Sequence, residues 1–333
     1  MNRDITRWVG KLLAGGGSSR QANSIRNRSG RSLRCEVLES RQLLSVAPTA
    51  PATQLESPGP ITTAFYYAAA TSADEVVTFV DANLEAAVRE ALNMPTGDLT
   101  RGALETLTTL SAANRGIADL HGLEACTNLA TVNLEANRVQ DISPLAGLGA
   151  LEQIWLDRNN VNTIPSFANA CSLAWLWLGD NQVTDVSGLA AATSLKYLNL
   201  GNNAITNVDA LAGLANLESL HHDWNDIADV RALAALAALE SLSLSDNRIE
   251  DASPLWNLDR LRILNLDGNR LETIAGVEAL DNLETIDLGD NRVSDILPLS
   301  KLELVDLDLS ANPVADFSPL WGMSSLESLT LSR

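Results

Sequence analysis

The stretch Leu239-Glu-Ser-Leu-Ser-Leu-Ser-Asp-Asn-Arg-Ile-Glu-Asp-Ala-Ser-Pro-Leu-Trp-Asn-Leu-Asp-Arg260 decides the fold, because it is one unit of a repeat that returns every 22 residues. The first leucine of the unit recurs at Leu129, Leu151, Leu173, Leu195, Leu217, Leu239, Leu261 and Leu283, and then at Leu304 and Leu326. Repeats of this length are stacked supersecondary units, none of which can bury its apolar face alone. The period therefore predicts an α/β solenoid in which each unit adds one strand to a parallel sheet.

Leucines alternate with other residues at positions four and six of the unit, counted from its first leucine. Alternation of this kind places the leucines inside the solenoid and their neighbours on the open face of the sheet. Position six is leucine in every unit but one, where His222 stands. We expect the His222 ring to bond to a buried backbone group or to water.

Two rows of polar residues also follow the period. Position nine holds Asn137, Asn159, Asn181, Asn203, Asn225, Asn247, Asn269, Asn291 and Asn312. Position thirteen holds Asp141, Asp185, Asp229, Asp251, Asp295 and Asp316. The amides are predicted to bond to the backbone where the chain leaves each strand, and the aspartates to cap a short helical turn. Both rows are thus predicted to be structural, and neither to bind metal.

The unit L-x-x-L-x-L-x-x-N resembles the 22-residue leucine-rich repeat of internalin type over 129–325, and Phe79–Leu92 is similar to the N-terminal cap helix of the same bacterial proteins. Within that helix an apolar stripe is formed by Leu84, Ala87, Val88, Ala91 and Leu92. The resemblance covers about three quarters of the chain. It implies a leucine-rich-repeat horseshoe with a concave parallel sheet, short 3-10 or irregular convex turns and a helical N-terminal cap. It also implies a protein that binds other macromolecules and is not an enzyme.

Composition divides the chain into four segments. Residues 1–45 form a basic leader with an export element, and 46–78 a disordered linker rich in Pro, Ala and Thr. The helical cap is predicted over 79–106, where Thr100 caps a second short helix. Residues 107–333 form the repeats, of which one is degenerate, about nine are full and one is incomplete. The leader carries nine Arg or Lys against three Asp or Glu, and the remainder 14 against 39.

The leader favours export. Its segment Leu33–Ser45 resembles the LEPR-XLL element of exported bacterial proteins, with Ser40 in place of the usual Pro. The matching residues are Leu38, Glu39, Arg41, Leu43, Leu44 and Ser45. No stretch approaches the ~18 apolar residues of a membrane span, and neither aromatic interleaving nor a base-reading motif accompanies the arginines, as a nucleic-acid arm would require. We expect an extracellular or cell-surface protein; the alternative is a cytoplasmic repeat protein with a disordered basic tail.

The outward residues of four consecutive units are rich in tryptophan. The predicted partner-binding residues are Trp155, Asp157, Trp175, Trp177, Tyr197, Asn199, His221, Asp223 and Trp224. Exposed tryptophan clusters mark interaction sites; the alternative is an aromatic ladder that stabilises the sheet by stacking. Trp256 and Trp321 fall on the convex side, where packing between units is expected.

Further along, the same face becomes acidic. The predicted acidic strip contains Asp267, Asp287, Asp290, Asp306 and Asp308. It could dock a basic surface, hold Ca²⁺ weakly, or simply be a solvated acidic face. Of His221, His222 and Asp223 only the first and third share a face of a strand, so zinc is not expected. No cofactor is predicted.

Two features bear on association. Cys126 and Cys171 are expected to be buried free thiols, because two turns of the solenoid separate them by roughly 9–10 Å and a disulfide needs Cα atoms within about 7 Å. The last strand, within Leu326–Arg333, has an open edge, which would suit a truncated product, an edge hidden by the acidic surface, or a docking edge. A monomer is expected.

The sequence lacks a nucleophile with its base, a paired-carboxylate cleft and a Gly-rich phosphate loop in the repeats. It therefore favours a non-enzymatic module that binds a protein partner on the aromatic part of the concave face. A carbohydrate-binding surface protein and an intracellular leucine-rich-repeat scaffold or regulator are the alternatives.

Overall fold

The computed structural model describes residues 73–332, and the predicted leader, most of the predicted linker and Arg333 lie outside them. The described chain opens with helices α1 (Ala82–Ala91) and α2 (Arg101–Leu104). Eleven strands follow within the described residues: β1 Thr109–Ser111, β2 Thr131–Asn133, β3 Gln153–Trp155, β4 Trp175–Trp177, β5 Tyr197–Asn199, β6 Ser219–His221, β7 Ser241–Ser243, β8 Ile263–Asn265, β9 Thr285–Asp287, β10 Asp306–Asp308 and β11 Ser328–Thr330. They form one parallel sheet in sequence order, which confirms the predicted solenoid.

A short 3-10 helix lies in most of the segments that connect one strand to the next. These helices span Leu123–Ala125, Ser143–Leu145, Ser187–Leu189, Asp209–Gly213, Arg231–Ala235, Ser253–Asn257, Val277–Ala279, Leu297–Lys301 and Ser318–Leu320. A single tight turn suffices because the 22-residue unit leaves few residues after its strand and its asparagine turn. The predicted convex side of short 3-10 turns is confirmed. No helix among the described residues is long and apolar enough to cross a membrane.

The cap is tied to the first repeat by one carboxylate. Asp81 Oδ1 accepts the backbone N–H groups of Asn83 (2.8 Å) and Leu84 (3.1 Å) at the start of α1. Its Oδ2 accepts those of Ala118 (2.7 Å) and Asp119 (3.3 Å) in the first turn. Although burial raises the pKa of Asp81, these four backbone donors lower it overall. The cap is therefore held by hydrogen bonds as well as by the buried side chains of α1.

The cap begins earlier than the predicted boundary at Phe79. The N–H of Val77 donates to the carbonyl of Leu99 (2.8 Å), and the N–H of Gly102 to that of Ala73 (2.9 Å). These bonds pair the first described residues with the segment that enters α2, so residues 73–78 are not linker. Thr100 accepts the N–H of Ala103 (3.3 Å), which confirms it as the cap of α2.

The asparagine row forms the predicted ladder. The Asn159 amide donates to the carbonyls of Leu134 (2.9 Å) and Leu156 (3.0 Å), while its Oδ1 accepts the N–H of Val139 (2.9 Å). Each such asparagine thereby joins its own turn to the preceding one. The position-thirteen aspartates behave as predicted too: Asp185 Oδ1 accepts the N–H of Ser187 (2.8 Å) where the 3-10 helix starts.

Two predictions about individual side chains are wrong, and the ring of a third residue, His222, meets no protein partner within residues 73–332. Both ring nitrogens of the fully buried His222 lack a hydrogen-bond partner among the described residues, because leucines fill the same position of neighbouring turns. Trp256 is buried as predicted, but Trp321, which lies in the last described turn, is 86% exposed. Cys126 is a buried free thiol, whereas Cys171 is exposed, since it falls one position later in its unit than Cys126 does.

Candidate functional site

The concave face of the sheet is built from positions three and five of every unit, followed by positions seven and eight at the ends of the strands. In β2–β6 the middle residue is buried and its two neighbours are half-buried. The core thus occupies one side of the sheet only. Outward side chains can vary along this face without disturbing the leucines behind it.

Position eight turns the chain at the end of each strand through a left-handed backbone conformation. The residues with positive φ at this position are Asn114, Ala136, Arg158, Asp180, Asn202, Trp224, Asp246, Gly268, Asp290 and Ala311. Asn, Asp and Gly tolerate this conformation best, and bulky residues rarely adopt it. The frequency of these three types at position eight is a sequence signal for the turn, and the predictions above did not include it.

Four aromatic residues lie together on β3, β4 and β5, and we call them the aromatic patch: Trp155, Trp175, Trp177 and Tyr197. Trp155 pairs in register with Trp177 across neighbouring strands, as predicted. Trp175 stacks on Tyr197, with ring centroids 3.8 Å apart and planes 21° from parallel. This stacked pair is the stabilising ladder that the sequence left open as an alternative.

The Tyr197 ring of the stacked pair is also fixed by a hydrogen bond. Tyr197 Oη donates to Glu218 Oε2 (2.9 Å), and Glu218 Oε1 pairs with Lys196 Nζ (2.6 Å). Burial and the Glu218 carboxylate together raise the pKa of Tyr197 to about 12. Tyr197 therefore serves as an anchored support for Trp175 on the sheet.

The polar residues of the predicted binding set bond to the protein itself. Asp157 Oδ1 accepts the N–H of Gly179 (2.9 Å) and the amide of Asn199 (3.3 Å), and burial raises the pKa of Asp157 to about 7. Asn199 Oδ1 in turn accepts the N–H of Gly201 (2.9 Å). These side chains hold the strand ends in place beside Trp177.

Asp223 likewise accepts hydrogen bonds that hold the strand ends in place, here between β6 and β7. Its Oδ1 accepts the N–H (3.0 Å) and the hydroxyl (2.9 Å) of Ser245 and also the hydroxyl of Ser243. His221 lies beside it, half-buried, with Nε2 3.2 Å from Ser219 Oγ. Burial lowers the pKa of His221, against the opposing effect of Asp223. His222 points into the core, so the two histidines do not meet in one site.

Trp224 stands apart from the aromatic patch at position eight of its turn. Its side chain is 56% exposed and its φ is +54°. Residues of this size rarely hold such a conformation, which costs of order 1–3 kcal/mol. The same position in the adjacent turns holds Asn202 and Asp246, so Trp224 lies at the rim of the face between an amide and a carboxylate.

The acidic strip lies on β9, β10 and the turns beside them. Asp287 Oδ1 accepts the N–H of Gly289 (3.0 Å), and Asp308 Oδ1 that of Ser310 (2.7 Å). Burial raises the pKa of Asp287 to about 6, and the charges of Asp267 and Asp308 add to the effect. Burial also raises the pKa of Asp267, with repulsion from Asp290 and Asp308.

Asp246 belongs to the same cluster, although the sequence analysis did not include it. Burial and the charges of Asp267, Asp223 and Asp290 raise the pKa of its carboxyl. The signal for it was its place at position eight, directly after the strand. Among residues 73–332 no group of three or more His, Cys, Asp or Glu is arranged to hold a metal ion.

Comparison with known proteins places these features in a family context. The family model described as Leucine Rich repeats (2 copies) matches residues 171–213, 237–280 and 259–301. Internalin C2 of Listeria monocytogenes is 30% identical over 76% of this chain and 94% of its own, with a TM-score of 0.51.

Two further solved structures share the fold. The functional domain of InlJ from Listeria monocytogenes is 23% identical over 79% of this chain and 62% of that one, with a TM-score of 0.61. A leucine-rich-repeat protein of Leptospira interrogans is 18% identical over 70% and 80%, with a TM-score of 0.55. Among curated protein sequences none matches this chain. The likeness to InlJ and to the Leptospira protein concerns the fold alone.

Proposed function

Because this chain belongs to the internalin-type leucine-rich-repeat proteins, which are generally protein-interaction modules, we propose that it is an exported, non-enzymatic module that binds a protein partner on its concave face. Solenoids of this kind use their extended concave surface for binding. The proposed contact residues are Trp155 and Trp177 in the aromatic patch and Trp224 at the rim. Asp157, Asn199, His221 and Asp223 would hold the strand ends around them.

One observation carries the proposal. Three partly exposed tryptophans stand on two adjacent strands, Trp155 on β3 and Trp175 and Trp177 on β4. Tryptophan is the residue most enriched among those that dominate binding energies, and large apolar side chains grouped on a surface mark interaction sites. The leucine core behind the sheet is complete without them.

A protein partner is favoured over a carbohydrate. A sugar ring stacks on the open face of an aromatic side chain, but Trp175 and Tyr197 turn one face toward each other. The polar groups that could bond to hydroxyls at this place are already taken, since Asp157 and Asn199 bond to Gly179, to Gly201 and to each other. Trp155 and Trp177 instead offer apolar area in register, which suits a protein surface.

Export rests on the Leu33–Ser45 element, and it bears on where the partner would be found. An exported module meets partners in the envelope or the medium, whereas an intracellular scaffold meets them in the cytoplasm. Fractionation of the producing cells, followed by detection of the chain in each fraction, separates the two possibilities. Recovery from the cytoplasm alone would contradict export.

Affinity capture tests the site. The full chain is immobilised, incubated with the envelope and medium of the producing organism, and its retained proteins and glycans are identified by mass spectrometry. The Trp155→Ala/Trp177→Ala variant should lose the partner while it keeps its thermal unfolding curve nearly unchanged. Retention would fall at least about tenfold, as expected for central aromatic contacts.

A matched control comes from the last described turn. Trp321 is more exposed than any tryptophan on the concave face, so Trp321→Ala removes an equally large side chain from elsewhere. It should retain the partner fully. Equal retention by the double variant and the control would contradict a site at Trp155 and Trp177. Capture of a glycan instead of a protein would show that the ligand is a carbohydrate.

A further inference from the structure

We propose that the acidic strip, together with Asp246 and Trp224, is a docking surface for an extended protein segment that carries arginine or lysine side chains. The inference rests on the proposed function, since both place a partner on the concave face. It adds a second contact region and states its chemistry. Three observations carry it: unbalanced charge, crowded carboxylates and a strained, exposed tryptophan.

The charge of this region is unbalanced. The outward positions three, five, seven and eight of the turns that contain β7–β10 hold no Lys, Arg or His. They do hold six aspartates: Asp246, Asp267, Asp287, Asp290, Asp306 and Asp308. None of the six makes an ion pair with a residue of 73–332, although thirteen ion pairs are present elsewhere in that range. A cationic partner would complete pairs that the chain itself leaves open.

The carboxylates are also close to one another. A Cβ atom placed on Gly289 would lie 2.5 Å from Asp267 Oδ1, 3.3 Å from Asp287 Oδ1 and 3.0 Å from Ser310 Oγ. Two carboxylate oxygens from neighbouring turns therefore border one small space above the Gly289 backbone. Like charges at such separations repel. Burial, together with this repulsion from Asp267 and Asp308, raises the pKa of the Asp287 carboxyl to about 6.

Trp224 provides an aromatic surface at the near end of the strip. It holds a left-handed backbone conformation where asparagine, as at Asn202, would be unstrained, and yet 56% of its side chain is exposed. Neither core packing nor the turn accounts for a tryptophan there. An indole face attracts arginine and lysine by cation–π interaction, and Asp246, at the same position of the next turn, would pair with the same cation.

The spread of the charges favours a chain over a single ion. The aspartates extend from the turn of β7 to that of β10, three strand spacings or about 14 Å. An extended peptide covers that distance in about four or five residues. No described group of three carboxylates is arranged to hold a metal ion, so several cationic side chains along one segment fit the strip better.

The probe is a fluorescein-labelled octapeptide of alternating glycine and arginine, titrated with the full chain at low ionic strength and followed by fluorescence anisotropy. The test variant replaces Asp287, Asp290 and Asp308 by Asn. The chain already uses asparagine at these positions: Asn133, Asn199 and Asn265 at position five, where they accept the same N–H, and Asn114 and Asn202 at position eight. The substitution thus removes charge and keeps the backbone bonds.

The matched control replaces Asp185, Asp251 and Asp295 by Asn. It changes the net charge equally, and Asn207 already caps its turn at that position through the N–H of Asp209 (2.7 Å). We expect the strip variant to bind the arginine peptide roughly tenfold more weakly than the unchanged chain does. The control variant should bind it less than about twofold more weakly. Trp224→Asn should weaken binding of the arginine peptide about threefold, a typical size for an exposed cation–π contact.

Several results would overturn the proposal. They are no binding of the arginine peptide, equal binding of a glycine–glutamate peptide, or equal weakening by the strip and control variants. If the chain instead binds Ca²⁺ alone, and this binding depends on Asp287, Asp290 and Asp308 in the same way, the ligand of the strip is a metal ion and not a peptide. Trp155→Ala/Trp177→Ala should leave peptide binding unchanged, so that failure of the aromatic site and failure of this strip are told apart.

Discussion

Strands β3–β5 and strands β8–β10 share one sheet and one register but present opposite chemistry on the concave face. Position five holds Trp155 and Trp177 in the first region and Asp287 and Asp308 in the second. The leucines and isoleucines at positions four and six are buried alike in both regions. The difference shows that the repeat assigns folding to one set of positions and recognition to another.

The two regions also treat their carboxylates differently. In the aromatic region the half-buried Asp157 bonds to Gly179 in the next turn and to Asn199 in the turn after that. In the acidic region Asp287 and Asp308 bond to N–H groups of their own turns and lie within reach of each other's charge. One region therefore offers apolar area to a partner, and the other offers negative charge.

The largest expected effect is common to both regions. Leu176→Ala in β4 and Leu264→Ala in β8 each remove a fully buried side chain, and each should lower the free energy of unfolding by about 2–5 kcal/mol. Denaturant unfolding measures both. A much smaller cost in β8 would mean that the acidic region is less well packed, and would contradict a shared core.

The next effect lies between the regions, at the histidine in the core. His222→Leu should stabilise the fold by about 1–3 kcal/mol, because it removes two buried nitrogens that have no partner within residues 73–332 and restores the leucine of other turns. Unchanged or lowered stability would show that the ring is satisfied by a group such as bound water.

The same substitution should change the response to acid. Burial lowers the pKa of His222 from 6.5 to about 3, so the unfolded chain binds the proton first, and stability from this residue is lost as the pH falls from 6.5 toward 3. The advantage of His222→Leu should therefore grow on acidification over that window. Melting curves at several pH values measure it.

A smaller effect separates the two pairs of aromatic residues. Trp175→Ala should lower stability by about 0.5–1.5 kcal/mol more than Trp155→Ala does, because Trp175 stacks on the anchored Tyr197. Thermal unfolding of the single variants gives the difference. If both variants lose the same amount of stability, Trp155 also belongs to the stabilising ladder and is not a contact residue.

The last effect is the pH dependence of the acidic side chains. The pKa of Asp157 is raised to about 7 and that of Asp287 to about 6, from a usual value of 3.8. The folded chain therefore binds protons first, so these two groups favour folding increasingly as the pH falls from 8 toward 4. In the His222→Leu background, the melting temperature should rise over this range, and Asp157→Asn/Asp287→Asn should flatten the rise.

Much of the fold could be predicted from the repeat alone. The 22-residue period predicts the strands, because each turn must place its leucines against those of the next, and the asparagine ladder follows from the need to satisfy buried backbone groups. The errors arise where a residue's surroundings break the period. Trp321 lies in the last described turn, and Cys171 is offset by one position from Cys126.

The candidate site was less predictable for a different reason. Sequence places residues on a face, but it does not show which neighbours a side chain meets there. The stacking of Trp175 on Tyr197 and the use of Asp157 and Asn199 as backbone acceptors depend on rotamers. The left-handed turn at Trp224 depends on the backbone, and only that feature had a visible signal in the Asn, Asp and Gly of position eight.

Hydroxyl-radical footprinting of the tryptophans, with and without the captured partner, tests where the partner binds. Each tryptophan is read separately by mass spectrometry of its peptide from the full chain. The proposed function predicts that oxidation of Trp155 and Trp177 falls several-fold on binding, while oxidation of Trp321 is unchanged. Protection of Trp321 alone, or of no tryptophan on β3 and β4, would contradict a binding site on the aromatic patch.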